Sequence, residues 1–362
     1  MGSLTASTRR CDPVGRSMQA RRRGRERGLR CDPVNRLAVI GGGAWGTALA
    51  IVARRAASIP VLWARDPDVV AAVNERHENR VFLPDVTLDP RITATSDIGA
   101  AIAGAEAALL VVPAQFLRSV IEVLGPYLPP GMPVLHCAKG IETGSLKTMS
   151  EVAAEIIPDA PSAVLSGPTF AAEVARDLPT AVTIASHDAS LGRDFMAALG
   201  NGRFRPYLSD DPIGAEIGGA VKNVLAIACG VVCGRGLGDN ARAALITRGL
   251  AEMVRLGVAK GGRTGTFSGL SGLGDLALTC GAAQSRNYAL GLALGRGESL
   301  NAVLRGRRSV VEGVDTAAAV SRLAVHLGIE MPISEAVDAL LHRGESIDAM
   351  IDLLLSRPYR SE

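Results

Sequence analysis

Residues 37–40, Leu37-Ala38-Val39-Ile40, form a short apolar run that stops at Gly41. A helix-like stretch follows over residues 44–57, then a second apolar run over 59–63. Strand, helix and strand within about 30 residues is the length of one βαβ unit. The alternation continues, with strands predicted at 107–112, 134–137, 163–166 and 181–186 and helices between them at 116–124 and 146–157. Strands alternating with helices predict a parallel, doubly wound sheet.

Beyond about Asp211 the strand pattern stops. Residues 213–233, 241–261, 288–296, 316–327 and 334–341 all read as helices with small or aliphatic faces. The expected class is α/β, an N-terminal Rossmann-like doubly wound sheet followed by an all-α C-terminal domain. The expected division is a dinucleotide-binding domain over 36–211 and a helical substrate-binding domain over 212–355, parted near Asp210-Asp211-Pro212. Residues 1–35 lack apolar periodicity, carry an Arg-rich run from Arg21 to Arg27, and repeat Arg10-Cys11-Asp12-Pro13-Val14 as Arg30-Cys31-Asp32-Pro33-Val34. They read as a disordered basic extension.

Composition narrows the class. The chain has 362 residues, 48% hydrophobic and 21% charged, in the range of a globular protein with a sizeable core. No uninterrupted apolar run reaches the ~18 residues of a membrane-spanning helix, so no integral membrane segment is expected. Aromatics are only 3%, which predicts an aliphatic core and argues against a stacking platform for single-stranded nucleic acid. The six cysteines form no Cys-x-x-Cys pair and the five histidines are scattered, so no metal site is expected and a reducing, cytoplasmic setting fits. The formal charge of +3 hides an asymmetry. Nine arginines against Asp12, Glu26 and Asp32 make residues 1–35 net +6, leaving the rest at −3. Lysine is scarce: Lys139, Lys147, Lys222 and Lys260 are the only four among 39 basic residues.

The candidate chemistry sits at predicted loops. Gly41-Gly42-Gly43-Ala44-Trp45-Gly46 fits Gly-x-Gly-x-x-Gly between a strand and a helix. That logic needs a tight turn at Gly41, close approach to a pyrophosphate at Gly43 and helix–strand packing at Gly46. Arg65 follows the second strand, where an arginine accommodates a 2′-phosphate, so NADPH (NADP) is expected in preference to NADH (NAD). Asp66 before Pro67 reads as a helix cap. Ala138-Lys139-Gly140, the segment 166–171, Gly218–Asn223, Gly272-Leu273-Gly274-Asp275 and Ser285-Arg286-Asn287 place charges beside small or polar residues. Each has a structural reading as well: Lys222 could snorkel from an apolar helix, Asp275 could cap one, and Arg286 could be a surface charge. His136 reads as a packed core residue, and Cys229 and Cys233 as small apolar packers.

Taken together, and in this order, the glycine loop through Thr47 and the segments 166–171, 218–223, 240–253, 272–276, 284–287 and 310–313 resemble the soluble bacterial NAD(P)-dependent glycerol-3-phosphate dehydrogenases. The resemblance covers about residues 37–355. It implies interconversion of dihydroxyacetone phosphate and sn-glycerol 3-phosphate, supplying phospholipid synthesis, by a homodimer acting on a small phosphorylated substrate. It implies that Lys222 is the catalytic proton donor or acceptor and that Lys139, Gly167, Thr169, Asp275, Ser285, Arg286 and Asn287 surround the substrate. It implies cofactor contacts at Ala44, Trp45, Arg65, Lys139, Ala171, Arg286, Val311 and Glu312, with Phe116 against the dinucleotide. Two features depart from the family: Ala138 stands where relatives often carry a hydroxyl, and residues 1–35 have no counterpart there.

Overall fold

A computed structural model describes residues 1–2, 35–306 and 309–358, so the expected N-terminal extension lies outside the described residues except at its edges. The described residues form ten strands: β1 (Arg36–Ile40), β2 (Ile59–Trp63), β3 (Glu78–Asn79), β4 (Leu83–Thr87), β5 (Thr93–Thr95), β6 (Ala107–Leu110), β7 (Val134–His136), β8 (Ser162–Ser166), β9 (Thr180–Ala185) and β10 (Phe204–Ser209). Eight of them make one sheet in the order β10-β9-β8-β7-β6-β1-β2-β5, while β3 and β4 pair separately. Both faces of β1 are covered, which is why its sequence is continuously apolar rather than alternating. Leu37 and Val39 share a core cluster with the helix Ala44–Arg55, and Ala38 and Ile40 share another, on the other face, with the helix Ile98–Ile102. The chain winds outward from β1 through β2, then returns to β6 on the other side of β1. That reversal opens a crevice at the carboxyl ends of β1 and β6, where doubly wound sheets bind ligands.

The sheet is not parallel throughout, contrary to expectation. β8 and β9 run antiparallel, and β10 then runs parallel to β9. Between β7 and β8 the eight-residue helix Met149–Ile156 carries the chain back, whereas between β8 and β9 the helix is only Ala171–Ala175. Adjacent antiparallel strands need no crossover, and after this short helix the chain comes back directly beside β8 in the opposite direction.

Asp211 caps the next element by accepting from Gly214 N at 2.9 Å. This is the 23-residue helix Pro212–Gly234, which is long and apolar enough by length and composition to cross a bilayer. It is instead the axis of the second core: 89% of its apolar window is buried, packed by helices including Gly238–Ala259, Asp275–Gly281, Arg286–Gly295, Glu312–Leu327 and Pro332–His342.

Candidate active site

Gly41 closes β1 with φ +134°, and a Cβ there would lie 2.9 Å from the carbonyl carbon of Val111, so the turn at the end of β1 requires glycine. Gly46 is equally confined: a Cβ would lie 1.8 Å from Gly41 O, and its absence lets the helix Ala44–Arg55 sit against the strand end. Gly43, the helix N-cap, faces open space with nothing within 4 Å of a Cβ. Ala44 and Trp45 begin that helix, so the free end of its backbone and its dipole point into the crevice. A pyrophosphate fits this cradle. Arg65 is exposed just beyond β2, and Asp66 caps the helix Pro67–Arg76 as expected, accepting from Asp68 N at 3.0 Å.

The charged centre lies at the carboxyl edge of the same sheet, where Lys139 follows β7. Lys222 is only 6% exposed, so it does not snorkel: its helix is surrounded and its ammonium points inward. Nζ donates to Asp275 Oδ1 at 2.6 Å and to Thr279 Oγ1 at 2.8 Å. Thr279 can accept because its own proton goes to the Asp275 carbonyl at 2.6 Å. Lys139, beyond β7, donates to Asp275 Oδ2 at 2.7 Å and to Gly167 O at 2.8 Å. One fully buried carboxylate is thus shared by two ammonium groups. Each lysine carries three N–H donors, and two are used on each, leaving one apiece for a ligand oxygen. Burial pulls the Lys222 pKa down to about 8; the Lys139 charge pulls the same way and Asp275 opposes both.

Local structure explains how Asp275 arrives there. The segment 272–275 reads as a loop, yet Leu270–Gly274 is a π-helical stretch leading into the helix Asp275–Gly281. A Cβ on Gly218 would lie 2.3 Å from Ser271 O, so glycine on the central helix lets this turn approach closely enough to deliver the carboxylate. Asp275 is therefore not a cap; its side chain is taken by the two lysines.

An amide chain ties the surrounding elements together. Asn223 Nδ2 donates to Lys139 O at 3.3 Å, Asn287 Nδ2 donates to Asn223 Oδ1 at 2.9 Å, and Gly313 N donates to Asn287 Oδ1 at 2.9 Å. Glu312, beside Gly313, accepts from Ala114 N at 3.4 Å. Burial pushes its carboxyl up to about 7, against the nearby charge of Arg286. Thr169 Oγ1 donates to Gly167 O at 3.3 Å. Ser285 is buried and accepts from Tyr288 N as the cap of the helix that Arg286 opens. Val311 is buried beside Glu312, Ala171 opens its short helix, and Phe116 is 49% exposed after Pro113. No hydrogen bond among the described residues joins Arg65, Phe116 or Ala171 to the charged centre. Thr279 and Asn223 were not among the expected site residues. The signal for Thr279 was its place four residues after Asp275, which matters only once that stretch is known to be helical. His136 is a packed core residue, held by Ser162 Oγ at 2.7 Å.

Comparison with known proteins finds relatives over both halves of the chain. Residues 36–192 match the NAD-dependent glycerol-3-phosphate dehydrogenase N-terminus, and residues 211–352 match the C-terminus of the same family. The chain is 58% identical over 329 residues to glycerol-3-phosphate dehydrogenase [NAD(P)+] of Rhodospirillum rubrum, covering 91% of this chain and 94% of that protein. The Caulobacter vibrioides protein of the same name is 55% identical over 327 residues, covering 90% and 98%. Among solved structures, the glycerol-3-phosphate dehydrogenase of Coxiella burnetii superposes with a TM-score of 0.86 at 39% identity, covering 89% of this chain and 99% of that one. With a glycine cradle on a Rossmann-like sheet, a lysine-centred helical half and matches over both, the chain belongs to the NAD-dependent glycerol-3-phosphate dehydrogenase family.

Proposed function

We propose that this protein interconverts dihydroxyacetone phosphate and sn-glycerol 3-phosphate, with residues 36–211 binding the dinucleotide and 212–355 providing most of the substrate site. The observation that carries the reading is Lys222, buried and held by Asp275 and Thr279 beside Lys139, which follows a strand of the sheet that carries the glycine loop. When bound, a nicotinamide dinucleotide supplies or accepts the hydride at the substrate carbon. The protein must then stabilise charge on the substrate oxygen and move a proton to or from it. Arginine could stabilise but hardly donate, since its pKa stays above about 12. Lys222, with its pKa near 8, does both at neutral pH. Asp275 and Thr279 fix its ammonium, and Lys139 adds a second positive charge facing the substrate. Arg286, a planar guanidinium at the start of its helix, suits bidentate binding of the phosphate. Gly167, Thr169, Ser285 and Asn287 complete the substrate surround.

On the cofactor side, Gly41, Gly43, Ala44, Trp45 and Gly46 form the cradle, with Phe116, Lys139, Ala171, Arg286, Val311 and Glu312 beyond it. Exposed Arg65 supports a preference for NADPH, by pairing with the 2′-phosphate. Arg65→Ala should weaken NADPH by about 1.5–3 kcal/mol, the value of a charge-assisted bond, and leave NADH nearly unchanged. Equal losses for both would place Arg65 on the shared part of the dinucleotide. The family resemblance alone carries the further assignment of a cytoplasmic homodimer feeding phospholipid synthesis.

The deciding assay is NADPH oxidation with dihydroxyacetone phosphate, run beside NADH and beside unphosphorylated dihydroxyacetone. Turnover that requires the phosphate supports the proposal. Turnover of a hydroxy acid or ketopantoate-like substrate instead, or dinucleotide binding without turnover, overturns it.

A further inference from the structure

Asn79 lies on β3, outside the main sheet, and is 1% exposed. Its Nδ2 donates to Gly42 O at 2.9 Å and to Thr47 Oγ1 at 2.8 Å. A carbonyl oxygen can only accept, so the amide nitrogen must be the atom that faces Gly42, and its two hydrogens serve the two acceptors. Oδ1 is buried and has no hydrogen-bond partner among the described residues. The polar contacts of this side chain are thus directed at one place: the glycine loop and the first turn of the helix that follows it.

Peptide planarity gives the contact a consequence. The carbonyl of Gly42 and the N–H of Gly43 belong to one planar trans unit and point in opposite directions. A donor that holds Gly42 O on one side therefore aims Gly43 N–H to the other. The second arm, on Thr47, locks that peptide to the helix, whose first bond runs from Thr47 N to Gly43 O at 3.0 Å. The brace is itself anchored: β3 pairs with β4, and Leu83 of β4 is buried in the same core cluster as the helix Ala44–Arg55.

We propose that Asn79 is a positioning residue of the dinucleotide site, acting through the Gly42–Gly43 peptide to aim the Gly43 N–H at the cofactor's pyrophosphate. This rests on the reading that the glycine loop holds a nicotinamide dinucleotide. Because the pyrophosphate is common to both cofactors, the brace serves NADPH and NADH alike, which separates it from Arg65.

The test is fluorescence titration of NADPH and NADH against wild type, Asn79→Ala, Asn79→Asp and Thr47→Val, with kcat, KM for dihydroxyacetone phosphate and Tm measured on each. Losing the two neutral bonds in Asn79→Ala should raise Kd for both dinucleotides by the same factor, about fivefold to tenfold. The KM for dihydroxyacetone phosphate, and kcat at saturating cofactor, should stay near wild type. Asn79→Asp keeps the shape but turns both donors into acceptors and brings a negative charge towards a phosphate, so its loss should exceed that of Asn79→Ala. Lower Tm with wild-type Kd in the folded variants would make Asn79 merely structural and overturn the proposal. Should neither Asn79 variant fold, Thr47→Val decides: raised Kd for both cofactors sustains the brace, and an unchanged Kd overturns it. Failure of the underlying reading looks different, since wild type would then bind neither dinucleotide.

Discussion

At the residue scale the centre is an arrangement of two ammonium groups on one carboxylate. Removing Lys222 from water favours its neutral form, the Lys139 charge adds to that, and Asp275 opposes both, leaving a pKa of about 8. A general acid works best when its pKa is near the working pH. On the proposed role Lys222 carries the proton in reduction, so kcat for dihydroxyacetone phosphate should fall as pH rises through about 8. In oxidation it must be free to accept one, so kcat for glycerol 3-phosphate should rise through the same range. Pre-steady-state or saturating rates across pH 6–10, a span of about two units either side of that value, check both limbs. Asp275→Asn removes the group that holds the pKa up, so the falling limb should move to lower pH. It also leaves the buried Lys222 ammonium and the part-buried Lys139 ammonium facing each other, and breaking a buried pair costs about 3–5 kcal/mol. Lys222→Ala should lower kcat by at least about 10²-fold while NADPH affinity, titrated by fluorescence, stays close to wild type. Lys222→Arg should rescue poorly, because it keeps a charge and loses the proton donor. Near-normal turnover in Lys222→Ala would transfer the proton role to Lys139.

At the element scale the site depends on how closely helices approach the central one. The helix Arg286–Gly295 meets Pro212–Gly234 backbone to backbone: a Cβ on Gly230 would lie 2.2 Å from Tyr288 O. Gly218 meets the π-helical turn in the same way, at 2.3 Å from Ser271 O. Neither neighbour is a flexible side-chain end, so an added methyl must push backbone. Gly230→Ala and Gly218→Ala should each destabilise by about 1–3 kcal/mol, the usual cost of overpacking, read as a lower Tm or denaturation midpoint. Only Gly218→Ala should also shift the pH dependence of kcat, because its neighbour leads directly into Asp275. Equal catalytic effects from both would mean that the two substitutions act through general loosening of the helical core.

For the whole molecule, the described fold begins at its first strand. Asn35 O accepts from Ile59 N and its N–H donates to Glu106 Oε2 at 3.1 Å, so a chain starting at Asn35 retains the edge contacts of β1. The family match starts at residue 36. Such a truncated chain should keep the Tm and kcat/KM of the full chain, and an insoluble or inactive product would show that residues before Asn35 are needed. What the sequence determined by itself was local. The buried apolar run of β1, the glycine turn after it, the Asp66 cap and the change from strands to helices near Asp211 all rest on neighbours within a few residues, and backbone sterics and hydrogen bonding act at that range. The resemblance in motif order added which residues to watch, without their geometry. Tertiary structure alone decided the rest. Lys222 and Asp275 are 53 positions apart, and Lys139 and Asp275 are 136 apart, so no periodicity links them. The reversal of β9 was set by its pairing beside β8, the brace from Asn79 to Gly42 by a hairpin folding under the loop, and the helix at Asp275 by packing that overrode a glycine-rich segment. Burial and charge neighbours set the proton affinity of Lys222, and both are properties of the space around a side chain that come into being only when the chain has closed on itself.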